Sequence, residues 1–464
     1  MLVEKRKAEV PCTSNEELKV EERKRKSETE ECAKEDEFCP KKRRVAVAES
    51  TRDIPDIDIP MNISTEIRDG VRYLAPYWAV YRTRTKGRWI GRKMVDVFAQ
   101  EFLSLNKNYP KIACKLGRIY VNGKQMLDVD YVLKNGDSIH HWGHRHEHPL
   151  SYNSCRTFYS NLFISVRDLP LNIIAETDDL LVVDKPPSLP VHACGQYAVH
   201  TVLGQLRVNH NRTGLRVLHR LDRTTSGVLL FAKNYKTDLE FKKTLKDGNW
   251  SKEYICMVDG VFPDEEIECN EPIGTLVISM GIQCVRPDGK PARSRFKKLW
   301  SDGKRSVVSV NIYTGRTHQI RVHAQFLGYP IVGDRIYNSS VWGPSKGKGA
   351  EYEKPYEELC NDVREAHRGS NWHETVDPEY ESRMERMARE ELTPEPFDYG
   401  SQDRPSYDPI CLNCNVVKKV PDDHFQLFLH CLKYSTEKWS YSTSMPEWAI
   451  NSDVDSTGQN LLQT

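Results

Sequence analysis

From residue 171 onward the chain alternates between short apolar runs and polar turns, the pattern of a sheet with buried faces. Ile173-Ile174-Ala175-Glu176, a turn at Thr177-Asp178-Asp179, and Leu180-Leu181-Val182-Val183-Asp184 predict a hairpin. Residues 214–218 and 228–232 predict two strands joined by a polar loop from His219 to Gly227. Residues 251–258 and 306–313 predict further strands, and residues 236–245 a helix. A second helix is predicted over 318–327, capped by Thr317 and closed by Gly328 and Pro330. Residues 199–206 also read as helical, and β texture returns at 425–430 and 439–449.

The earlier part has a different rhythm. Tyr73, Tyr77, Trp78 and Tyr81 precede a helix that places Met94, Val97, Phe98, Phe102 and Leu105 on one face. A second short helix starts at Pro110, with Ile112, Ala113 and Leu116 inward. Arg118-Ile119-Tyr120-Val121, Asn122-Gly123 and Lys124-Gln125-Met126 predict a hairpin with a tight turn. This unit is bounded at 72–148, and the histidines between 141 and 148 read as a solvated linker. The second unit is bounded at 165–449, with an acidic insertion at 342–405 that is partly disordered and partly helical around 381–391. Residues 1–60 and 450–464 read as disordered tails.

Charge sharpens this division. The formal net charge is only +1, yet residues 82–145 hold 13 basic and 5 acidic side chains, while 351–400 hold 15 acidic and 6 basic. A basic unit beside a separate acidic segment points to a polyanionic partner for the former. No run of 18 apolar residues exists, so no membrane span is expected. The start of the chain lacks an apolar secretory segment and is too acidic for a mitochondrial presequence. Two basic clusters, Arg23-Lys24-Arg25-Lys26 and Lys41-Lys42-Arg43-Arg44, predict a nuclear or cytoplasmic protein. The 13 cysteines have no framework spacing and fit free thiols.

The candidate chemistry sits on the polar loop. His219-Arg220-Leu221-Asp222-Arg223-Thr224-Thr225-Ser226-Gly227 places one carboxylate between two arginines, with a strand on either side to hold it. HRLDRTTSG resembles the active-site loop of the RluA-type RNA pseudouridine synthases. DDLLVVDKPPSLPVH resembles the entry to their catalytic domain, with Ser188 where glycine is common, and TGRTHQIRVHAQFLGYPIVGD resembles a third signature. Ser251-Lys252-Glu253-Tyr254 resembles the strand that carries the family's active-site tyrosine.

The resemblance implies an α+β fold: a mixed, bent antiparallel-sheet catalytic domain of pseudouridine synthase type. The basic N-terminal unit resembles a small S4-like α/β RNA-binding domain. The implied reaction isomerises uridine in RNA to pseudouridine, with tRNA favoured and mRNA or rRNA open. Asp222, Tyr254 and Arg321 are the implied catalytic residues. His219, Arg220 and Arg223 are expected to contact substrate, and Arg88, Arg92 and Lys93 to contact phosphates. The isomerisation is redox-neutral, so no cofactor and no metal are expected, and the protein is expected to act as a monomer. A catalytically inactive RNA-binding protein is the alternative. Cys411-Leu412-Asn413-Cys414, with His424, His430 and Cys431 downstream, is a weak zinc signal. A zinc deaminase does not fit, because no HxE stands upstream and Ile410 precedes the first cysteine.

Overall fold

The computed structural model describes residues 63–68, 71–101, 106–147, 150–151, 171–194, 197–367, 377–396, 405–415 and 427–451. The basic clusters of the first tail, Phe102, Leu105, His148 and His424 lie outside them.

The part from residue 171 onward is built on a ten-stranded sheet. Its main order is Ile267–Cys269, Ser294–Ser301, Arg305–Ile312, Trp250–Asp259, Leu429–Thr436, Ser226–Ala232, Leu180–Lys185 and Asn172–Glu176. The continuous apolar runs at 180–183 and 228–232 are buried, as expected of strands covered on both faces. The pairing of Ser226–Ala232 with Leu429–Thr436 is parallel, and the other pairings among the described strands are antiparallel. At this junction Gly227 has φ 110°, and a Cβ there would stand 2.2 Å from the Cys431 carbonyl oxygen. Ser226-Gly227 is therefore the start of a strand that needs close backbone approach.

The helix Tyr235–Asp247 begins where Asn234 Oδ1 accepts from the Thr237 backbone N–H at 2.9 Å and ends at Gly248, φ 78°. The expected helix near 199–206 runs instead over Val202–His210, because Thr201 is the residue whose hydroxyl accepts from Gly204 N–H.

In the N-terminal unit, strands Tyr77–Arg84, Ser138–Arg145, Ile119–Val121 and Lys124–Gln125 form one sheet in that order. Helices Met94–Glu101 and Tyr109–Lys115 bury Met94, Val97, Phe98, Ile112 and Ala113 in one cluster with Trp89. The Asn122-Gly123 turn has φ 52° and 80°, the left-handed pair that suits a two-residue hairpin. The histidine stretch is a correction to the sequence reading. Residues 141–145 belong to the strand Ser138–Arg145, and His144 is only 9% exposed. A histidine-rich run looks polar, but this strand packs its end, Gly143 to Arg145, inside the protein.

The acidic segment is more integrated than its composition suggests. Trp342, Tyr352, Leu359 and Val363 are buried in a cluster with Val322, and Tyr380, Met384 and Ala388 join the core of the N-terminal unit. The helices Tyr356–Ala366 and Tyr380–Arg389 show their acids to solvent and bury a narrow apolar stripe. No helix among the described residues is long and apolar enough to cross a membrane.

Candidate active site

The loop from His219 to Thr225 is held from beneath by Lys185. This lysine is fully buried, and its Nζ donates to the carbonyls of Pro186 (2.9 Å), Leu189 (2.7 Å) and Arg223 (3.0 Å). An ammonium has three hydrogens, so three carbonyls satisfy it. Burial and the Arg223 charge push its pKa down to about 7, against the pull of Asp222 and Asp184. A second tie is His219, whose Nε2 accepts from Leu230 N–H at 3.3 Å and whose ring stands edge-on to Tyr434. Burial pushes this ring well below the usual histidine range, so it stays neutral. His219 was expected to contact substrate; it is 9% exposed and ties the loop to the sheet instead.

Asp222 emerges from this loop towards the helix Gln319–Phe326. Arg321 Nη1 donates to Asp222 Oδ2 at 3.1 Å. The same guanidinium grips Asp334 with two bonds, Nε to Oδ2 at 2.7 Å and Nη2 to Oδ1 at 2.9 Å. Asp334 Oδ1 also accepts from the backbone N–H groups of Ile336 and Tyr337, both at 3.0 Å. Side-chain exposure is 7% for Arg321 and 0% for Asp334, but 29% for Asp222. The arginine is thus anchored from behind and spends one N–H on the carboxylate that remains open.

The electrostatics follow from this geometry. Burial alone would raise the Asp222 carboxyl, but the His318 and Arg321 charges, the Arg321 hydrogen bond and Lys185 hold it below its ordinary value. His318 Nε2 lies 3.7 Å from Asp222 Oδ2, and its Nδ1 lies 2.8 Å from the Tyr337 hydroxyl. Burial pushes His318 itself down to about 4, so near neutral pH Arg321 is the permanent charge that keeps Asp222 ionised. His318, at φ 57°, precedes the helix; Thr317 was expected to cap it. Gln319 closes that turn instead, its Oε1 accepting from Thr314 Oγ1 at 2.8 Å and from Arg316 N–H at 3.0 Å.

Tyr254 lies on the central strand Trp250–Asp259, 6% exposed, where a register shift after Glu253 sets it opposite Cys431. Burial, then the Cys431 thiol, then the Asp222 charge hold its phenol well above the usual range. The hydroxyl therefore keeps its proton near neutral pH. Arg220 is exposed, and Arg223 stacks over the Tyr197 ring at 5.8 Å.

The structure brings Asp222 and Arg321 together and places Tyr254 within the field of the Asp222 charge. It keeps Arg88, Arg92 and Lys93 on the other unit, and gives each a protein partner. Arg88 Nε donates to Glu101 at 2.8 Å, Lys93 Nζ to Asp130 at 2.7 Å, and Arg92 to Gln100. Asp334 and Lys185 were not singled out from sequence. The one signal available was that both stand inside the motif stretches, as the last residue of PIVGD and the lysine of VVDKPP. A cation placed between Asp222 and Asp334 would have to displace Arg321, so these carboxylates act through a guanidinium.

A family model described as RNA pseudouridylate synthase matches residues 179–326, which span the Asp222 loop, Tyr254 and Arg321. The chain is 68% identical over 396 residues to the Caenorhabditis elegans protein K07E8.7, covering 85% of this chain and 88% of that one. It is 35% identical over 449 residues to human pseudouridylate synthase RPUSD2, covering 88% of this chain and 78% of the relative. It is 33% identical over 398 residues to the Saccharomyces cerevisiae mitochondrial tRNA pseudouridine(32) synthase, covering 82% and 77%. The name of this yeast relative overturns the nuclear or cytoplasmic expectation. That expectation rested on basic clusters in a tail outside the described residues, where a charge run carries no address by itself. A loop carboxylate held open by an anchored arginine, inside a matched family segment, with relatives alike over most of their length, leads to one assignment: the chain belongs to the RluA-type RNA pseudouridine synthases.

Proposed function

We propose that Asp222 carries out the isomerisation, acting on uridines of tRNA before those of mRNA or rRNA. Two yeast relatives are named as tRNA pseudouridine synthases, for positions 32 and 31, which favours tRNA. The reaction breaks the bond from N1 to C1′ and forms one from C5 to C1′, while the proton leaving C5 is balanced by one gained at N1. No oxidant or reductant enters, so the chemistry calls for no cofactor.

The observation that carries this reading is the single hydrogen bond from a doubly anchored Arg321 to an open Asp222. Whether Asp222 adds to C1′ or assists departure of the base, it must be ionised and aimed, and this contact supplies both. Tyr254 stacks on the target uracil, and its hydroxyl can relay the proton that leaves C2′, passing its own on as it accepts, and reverse this to return a proton to the sugar. Arg220, exposed beside Asp222, fills the gap left when the nucleotide swings out of its stack. The S4-like unit, with Arg88, Arg92 and Lys93, holds RNA phosphates, and the protein works as a monomer.

Pseudouridine mapping of tRNA, mRNA and rRNA from cells with and without the protein tests the substrate. Disappearance of sites from tRNA is the expected result; an unchanged map in every RNA sinks the proposal. For the S4-like unit, neutralising Arg88, Arg92 and Lys93 should flatten the salt dependence of binding by about 0.7 for each phosphate no longer neutralised. An unchanged slope places the RNA elsewhere, with these charges serving only Glu101, Gln100 and Asp130.

A further inference from the structure

One cluster of chemistry-bearing side chains stands apart from the Asp222 site. His144 lies in the strand Ser138–Arg145 and His146 just past its end, and the two rings meet edge-on with centroids 4.9 Å apart. Cys411 and Cys414 come from a turn far along the chain, closed by Cys414 N–H donating to the Cys411 carbonyl at 3.2 Å. One ligand atom from each of the four residues lies within 4.8 Å of all the others.

His144 Nδ1 lies 3.1 Å from Cys414 Sγ, His146 Nε2 lies 3.4 Å from the same sulfur, and the two ring nitrogens are 3.3 Å apart. Around a tetrahedral zinc, bonds of about 2.0–2.1 Å to nitrogen and about 2.3 Å to sulfur imply ligand separations of roughly 3.3 Å for N to N and roughly 3.5 Å for N to S. The His144–His146 and His146–Cys414 spacings match these values, the His144–Cys414 spacing is about 0.4 Å shorter, and Cys411 Sγ lies within 4.8 Å of the other three. Protons on one imidazole and the thiol could fill two of these three contacts, but not all three at once. A cation at their centre satisfies them together. The surroundings suit a thiolate-bound ion: the Asp408 backbone N–H donates to Cys414 Sγ at 3.3 Å, and His144 and Cys411 are 9% and 8% exposed.

We propose that His144, His146, Cys411 and Cys414 bind one zinc ion in a closed, structural site. The donor set, two imidazoles and two thiolates, is the borderline-soft one that selects zinc over hard cations. All four positions are filled by protein, which leaves none for substrate. The site staples the last strand of the N-terminal sheet to the turn that follows the acidic segment, closing a chain separation of 267 residues between His144 and Cys411. It reverses the expectation that no metal binds. It also replaces the partners that sequence alone offered for the CxxC, because His430 instead contacts Ser226 and Thr443 within the sheet, at 2.8 and 2.6 Å.

The test uses the full chain, purified without chelator. Elemental analysis should find about one zinc per chain, as expected of a closed four-ligand site. After chelation and reloading with cobalt(II) alone, the wild-type protein should show the intense visible bands of tetrahedral cobalt and a thiolate-to-metal band in the near ultraviolet. A Cys411→Ser, Cys414→Ser double variant should lose both signals, while His146→Cys should keep a tetrahedral spectrum with stronger thiolate absorption. Absence of metal together with the spectrum of hydrated cobalt in the wild type overturns the proposal. So does a Cys411–Cys414 disulfide in freshly purified protein, or full zinc content in the double variant. The cobalt spectrum is read on the wild-type chain, so a variant that fails to fold does not remove the test.

Discussion

Two buried arginines in this molecule each bridge two carboxylates, with different outcomes. Arg118 in the N-terminal unit makes paired bonds to both acids, with Glu395 at 2.7 and 2.6 Å and with Asp408 at 2.9 and 3.1 Å. Arg321 makes paired bonds to Asp334 and a single bond to Asp222. The Arg118 acids are 17% and 0% exposed, while Asp222 keeps 29%. A guanidinium has five N–H donors in a rigid fork. When both carboxylates engage it fully, the result is a staple, here joining the N-terminal sheet to the segments around 395 and 408. When one carboxylate is held end-on, the arginine fixes its charge and direction and leaves lone pairs open. The number of bonds from arginine to acid, more than the burial of the arginine, separates the two uses.

Removal of the open carboxylate separates the two arginines most clearly. Asp222→Ala should lower single-turnover pseudouridine formation by at least about 10⁴-fold, as for nucleophiles that act as part of a unit. RNA affinity should stay within about tenfold, the equivalent of ~1.4 kcal/mol. Turnover near that of the unaltered protein would make the Arg321 bridge another staple. Next in size is Tyr254→Phe, which keeps the ring and removes the hydroxyl. A loss of roughly 10²–10⁴-fold in single-turnover rate with little change in binding marks a proton-transfer role. A full rate leaves the ring as a stacking platform, and Tyr254→Leu should then weaken RNA binding.

The opposite arm alters the staple. Arg118→Met leaves Asp408 buried without its cation, a change that costs about 3–5 kcal/mol. Chemical unfolding should show the loss, while the single-turnover rate of bound RNA holds. A collapse of that rate in folded protein would mean that the two arginines are coupled. The smallest effect concerns Ser188, which stands at φ 71° and 1% exposure where the resembling family commonly has glycine. A left-handed serine is strained, so Ser188→Gly should raise stability by up to about 1 kcal/mol. A drop in the unfolding midpoint would show that the buried hydroxyl contributes more than the strain costs.

The sequence alone settled much of the architecture. Apolar runs and alternation marked the strands at 180–184, 228–232, 251–258 and 306–313, though not Ile267–Cys269 or Ser294–Ser301, and the polar interruption between two of them located Asp222. The helix that carries Arg321 was marked by its closing Gly328 and Pro330, although Thr317 does not cap it. These readings worked because backbone period decides, within a few residues, which face a side chain takes. What lies behind those residues was decided only in three dimensions. Asp334 became the anchor of Arg321, and Lys185 gathered three carbonyls beneath the loop. The strand Leu429–Thr436 entered in parallel beside Ser226–Ala232 and brought Cys431 opposite Tyr254. His144 and His146, read as a polar linker, met a cysteine pair more than 260 positions away. No local period encodes such meetings. They follow from which buried faces pack together, and a charged or metal-ligating side chain finds its partner only after that packing has excluded water around it.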